Sequence, residues 1–133
     1  LSRCRARPFG DAHARAVWDA GLAAIAQIAE CVETESIDCR FSWVPAYLHT
    51  PVGVSVDEDA VSKLTAEADA AARLGFDARF IDRAPFGNLP AVEFDGQARF
   101  HPARFLSALA TRVGGDGSAI SEHTPPTAVE TNP

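Results

Sequence analysis

The side chains best suited to chemistry are Arg99, His101, Tyr47 and His49. Arg99 and His101 stand just ahead of Pro102, at the mouth of an expected helix. Pro102 suits a first helical turn, because its missing N–H has no intrahelical partner there. The orphan N–H groups of such a turn favour an anion, and an arginine can grip a carboxylate bidentately. Arg99 and His101 are therefore read as candidate binders of a small anionic substrate. A structural alternative stays open: Phe100 packs, His101 caps the helix and Arg99 is solvated. Tyr47, the sole tyrosine, and His49 lie at the end of an expected strand. A buried phenol wants a partner, so Tyr47 reads as a substrate-side residue or as an aromatic at an interface edge.

Other chemistries lack their residues. Cys31 and Cys39 are eight apart, and His13, His49, His101 and His123 show no paired metal-ligand spacing, so no metal site is expected. No G-x-S-x-G elbow occurs, and no catalytic nucleophile is assigned. Gly114, Gly115, Asp116 and Gly117 follow a helix instead of opening one, and Asp116 repels phosphate, so a nucleotide loop is not expected here. Asp57, Glu58, Asp59, Glu67 and Asp69 read as a solvated helix face.

The elements that must position these residues follow from periodicity. Asp11 to about Glu33 reads as an amphipathic helix, with Ala14, Val17, Trp18, Gly21, Leu22, Ile25, Ile28, Ala29 and Val32 on one face. Cys39, Phe41 and Trp43 alternate with polar residues as in a half-buried strand, which Pro45 confines to an edge or a bulge. Ser55 and Glu58 form a capping box before a helix that keeps Val61, Leu64, Ala68, Ala71 and Leu74 inward until Gly75. Phe76–Ile81 reads as a strand. Ala91–Phe94 and Gln97–Phe100 read as a hairpin turning at Asp95-Gly96. A third helix then runs from Pro102 to a glycine stop at Gly114 and Gly115, followed by two short extended pieces. The order α-β-α-β-β-β-α-β-β is not βα alternation. It predicts an α+β fold, a mixed sheet with about three helices.

Composition sets the outer limits. The chain has 133 residues, 47% of them hydrophobic, enough for the core of one domain or a piece of one. A net charge of −6 argues against nucleic acid or an anionic membrane as partner. No apolar run reaches the roughly 18 residues of a membrane span. Three cysteines form no even framework and read as reduced thiols of a cytoplasmic protein.

The stretch 96–129 resembles the middle of FAD-dependent oxidoreductases of the D-amino acid oxidase family. Gln97, Phe100, His101, Pro102, Glu122, Thr124 and Val129 match its helix entry and the strand that follows. Upstream, the segment from Phe9 through Ile37, Asp38, Cys39 and Phe41 to Pro45-Ala46-Tyr47-Leu48 is similar to the family's long helix and next strand. The resemblance implies a fragment of a two-domain flavoprotein fold. Residues 1–8 would be a severed connector, 9–131 a substrate-domain region ending in a strand of the flavin domain, and 132–133 a tail. It implies a parent that binds FAD and oxidises a C–N, or less often C–O, bond of a small substrate. Pro126 would mark the adenine-side strand, and Tyr47 would face substrate. The partners implied are the missing flavin-binding portion and a small-molecule substrate. The chain alone is expected to hold no cofactor. The alternative is a non-catalytic binding or self-assembly module, a possible homo-oligomer through the Phe41–Trp43 strand or the Trp18 face.

Overall fold

A computed structural model describes residues 3–129, with side chains described from Gly10 onward. Leu1 and Ser2 of the expected connector, Glu130 and Thr131 of the expected substrate-domain region, and the whole tail lie outside the described residues. The elements are α1 (Arg3–Thr34), β1 (Ser42–His49), α2 (Glu58–Arg73), β2 (Ala78–Ile81), β3 (Ala91–Arg99) and α3 (Pro102–Ala110). The architecture is the expected α+β class with three helices. Its sheet has the order β1-β3-β2, and both pairings are antiparallel.

Local chemistry accounts for the ends of these elements. Gly10 (φ 78°, ψ 169°) interrupts α1, so the regular helix restarts at Asp11, the start read from the sequence. Asp57, not Ser55, caps α2: its Oδ1 accepts the Ala60 N–H at 2.8 Å, satisfying one of the orphan donors of the first turn. At the other end Gly75 N–H donates to the Ala72 carbonyl (2.9 Å) and Phe76 N–H to the Ala71 carbonyl (3.1 Å). That pair of bonds is a Schellman stop, and it requires the left-handed φ of 87° at Gly75. Because Phe76 spends its N–H there, the strand expected from Phe76 begins only at Ala78.

The expected hairpin at Asp95-Gly96 is not a turn. β3 runs straight through it to Arg99. Val44 pairs with Gln97 and Ala46 with Phe94, so Pro45 alone stands opposite both Asp95 and Gly96. This is a β-bulge, made possible by Gly96 at φ 70°. Proline on the edge strand costs the ladder little, because the bulge already interrupts pairing at that point.

The core lies between the sheet and α2, with α1 across one end. Leu64 and Ala68 of α2 meet Val92 and Phe94 of β3, and Trp18, Leu48, Ala71, Ala78 and Phe80 pack around them. Trp18 stacks on Phe76 at 4.6 Å between ring centroids and lies 5.1 Å from Phe94. Trp18 itself is thus spent in the core. Val17 and Leu22, expected inward, are exposed.

Among the described residues after α3 there is one isolated bridge, Gly115 to Ser118, and no named strand. The two expected extended pieces do not join the sheet.

Candidate functional site

The face of the sheet away from α2 carries the densest group of polar and aromatic side chains. Alternation along the strands places Tyr47 and His49 of β1, Glu93 and Asp95 of β3 and Arg79 of β2 on this face, opposite Leu48, Val92, Phe94 and Phe80. Tyr47 and Arg79 both pair with Glu93 in the register, one from each side. The result is a row Tyr47–Glu93–Arg79 across all three strands.

Arg79 forms ion pairs with Glu93 and, at 2.7 Å, with Asp95. The Glu93 side chain is only 12% exposed, so its charge needs that partner. The hydrogen bond to Asp95, then the attraction of Asp95 and Glu93, hold the Arg79 guanidinium above its already high ordinary value. Tyr47 is half-buried. Loss of water, followed by its hydrogen bond to Glu93 and the charge there, raises its pKa above the ordinary phenol value. The Phe86 ring meets Tyr47 edge-on at 5.4 Å and His49 at 5.0 Å. His49 Nδ1 hydrogen-bonds the Thr50 carbonyl at 2.6 Å, which places the proton on that nitrogen.

Such a row can recognise and hold. Glu93 and Asp95 were missed as a same-face pair, because the strand was expected to end at Phe94 and Asp95 to form part of a turn. Arg79 and Phe86 carried no local signal: only strand pairing brings Arg79 to Glu93, fourteen residues on, and to Asp95, sixteen residues on.

The structure separates the residues expected to form one substrate site. Arg99 pairs with Ser42 and its Nε donates to Ser42 Oγ at 3.1 Å. Ser42 has the parity of Ala46 and Leu48 along β1, so Arg99 lies on the opposite face from Tyr47. Five strand residues further separate them, roughly 16 Å. The bulge at Gly96 is the cause: the extra residue reverses the alternation of β3 beyond it. His101 is the N-cap of α3, its Nδ1 accepting the Arg104 N–H at 3.4 Å. Its own backbone N–H donates to the Cys39 carbonyl at 2.7 Å. Pro126 is exposed and lies outside any named strand.

A second aromatic group runs along the other end of the sheet. Phe41 contacts Trp43 (5.3 Å) and Phe100 (6.5 Å), and Phe100 contacts Phe105 of α3 (5.4 Å). Trp43 remains 56% exposed. Among the described residues no group of three or more histidine, cysteine or acidic side chains could hold a metal ion. No described helix is long and apolar enough to cross a membrane.

No family model matches the chain and no solved structure matches it. It is 35% identical over 120 residues to a putative Rieske 2Fe-2S iron-sulfur protein, YhfW, of Bacillus subtilis (strain 168). The match takes in 89% of this chain but 23% of that protein, so the chain spans about a quarter of the length of its relative. This similarity corrects the flavoprotein reading. Kinship with the D-amino acid oxidase family, FAD as cofactor, oxidation of a C–N or C–O bond, a missing flavin-binding portion and a small-molecule substrate are all replaced by likeness to an iron–sulfur protein. The quoted motif residues were mainly helix starts, glycine stops and strand alternation, which many α+β folds need. The motif that carried the adenine contact falls where no strand forms.

A Rieske centre takes two thiolates on one iron and two imidazoles on the other. Among the described residues that set is not brought together. Its described cysteines, Cys31 and Cys39, are half-buried and fully buried. His49 pairs with Ala91 at the start of β3 and His101 lies past its other end, so the nine residues of β3 separate them by roughly 25 Å. The residues present do not fit the cluster.

Proposed function

We propose that this chain works as a cluster-free module within a longer Rieske-type electron-transfer protein. The single observation that carries this reading is the 35% identity spread over 89% of the chain. In this reading the module is a small scaffold, and the row Tyr47–Glu93–Arg79 with Phe86 is its recognition surface toward the rest of the polypeptide. The two helices of the core leave that side of the sheet to the loop around Phe86, and the ion pairs of Arg79 fix its side chains before any contact is made. Free Cys31 and Cys39 support a cytoplasmic location, where thiols stay reduced.

The test is to isolate, without oxygen, the entire polypeptide in which these residues occur in the cell. Equal amounts of iron and acid-labile sulfide, and the electron paramagnetic resonance signal of a reduced Rieske centre, are expected. A polypeptide free of iron, or one holding flavin alone, would overturn the reading.

A further inference from the structure

We infer that this chain supplies no ligand to a 2Fe-2S centre, and that all ligands of the centre in its Rieske-type setting come from other polypeptide. The inference rests on the reading above and deepens it by locating the redox group. It starts from the mismatch between the name of the relative and the side chains present.

Four donors of two kinds must converge on a pair of irons. The histidines of this chain are scattered. His13 lies on α1 eighteen residues before Cys31, roughly 27 Å along a helix. His49 pairs with the first residue of β3, Ala91, and His101 lies past the other end of that strand. His123 is exposed in the segment after α3. His49 and His101 each engage one ring nitrogen in a local hydrogen bond, to the Thr50 carbonyl and from the Arg104 N–H. Cys39 is wholly buried beside Ile37, and its backbone carbonyl is tied to His101 N–H. A thiol in that position acts as a small core residue. Cys31 is on the final turns of α1, and Cys4 lies on the far side of the Gly10 break in the same helix. Rebuilding a four-ligand site from these residues would mean breaking the backbone bond from His101 N–H to the Cys39 carbonyl, which ties the segment after α1 to the start of α3.

Two measurements test this. In the first, the 133-residue chain is incubated anaerobically with ferrous iron, sulfide and a thiol reductant, then desalted. No retained iron and no visible charge-transfer bands are expected. Iron and sulfide retained in equal amounts, with a Rieske resonance signal, would overturn the inference. In the second, Cys31→Ser, Cys39→Ala and His101→Gln are made in the entire polypeptide. Iron per folded molecule and the resonance spectrum are expected to match the parent. Loss of the signal in any variant that keeps its circular dichroism would overturn it. Should the parent polypeptide contain no cluster, the proposed function fails, while the first measurement still reads the inference on this chain alone.

Discussion

The region from α2 through β3 and the region from Phe100 to Val129 are built by opposite means. In the first, Leu64, Ala68, Val92 and Phe94 close a dry core, with Val92 at 0% exposure, and Trp18 and Phe76 stack over its end. In the second, no residue of α3 is buried and Leu106 is 62% exposed. That region is held by surface interactions: Arg112 with Glu35 at 2.9 Å, Arg104 with Asp38 at 3.7 Å, the His101 cap and the Phe100–Phe105 contact. Exposed ion pairs contribute about 0–1 kcal/mol each, whereas burying one large apolar side chain contributes about 1.5–3 kcal/mol. The contrast teaches where this fold is anchored: the sheet and α2 set its stability, and α3 rides on them.

Substitutions can break this comparison. The largest effect is expected for Phe94→Ala, about 3–5 kcal/mol by chemical denaturation, since it empties the core beside Trp18. An effect below 1 kcal/mol would mean that the α2–β3 contact is not the anchor. Gly96→Ala is expected to lose about 1–2 kcal/mol, the cost of holding an L-residue at left-handed φ, although nothing crowds the added methyl. A neutral result there would remove the bulge as a constraint on β3. Asp57→Ala strips the α2 cap and should cost about 1 kcal/mol. On the other region, Leu106→Ala should stay within about 0.5 kcal/mol of the parent. A larger loss would show that α3 is an equal partner in the core.

The smallest effect at neutral pH belongs to Tyr47. Its pKa is raised in the folded chain, so the stabilisation it gives is complete below the ordinary phenol value of about 10 and is lost as pH rises through the higher folded value. Ultraviolet titration should place the phenol midpoint above that of a free tyrosine, and Glu93→Gln should bring it down. An unshifted midpoint in the parent would dissolve the Tyr47–Glu93 link that organises the recognition surface.

Much of the local structure could be read along the chain. The Val61, Leu64, Ala68, Ala71, Leu74 stripe is buried or half-buried as expected, and Pro102 opens α3 where it should. The capping box at Ser55 was a competing local signal. Asp57 won because its carboxylate reaches the Ala60 N–H from one residue before the helix. The candidate site was less legible. Tyr47 was visible as a sole phenol at a strand end, but its Glu93 and Arg79 partners lie far away in sequence and meet only through register. Arg99 looked like its neighbour in function because nothing local says that Asp95-Gly96 bulges instead of turning. The flavoprotein likeness drew on the same short signals, which describe how chains start and stop helices and say little about cofactors.

By itself the sequence determined the α+β class, the three helices, the stop at Gly75 and the edge character of the strand holding Pro45. These depend on dihedral preferences and on hydrogen bonds reaching no more than five residues. Tertiary structure alone decided that Trp18 belongs to the core, that β3 is one bulged strand, and that Tyr47 and Arg99 face opposite sides. Each of those depends on which distant residues stand opposite one another, and a single inserted residue at Gly96 reverses the answer.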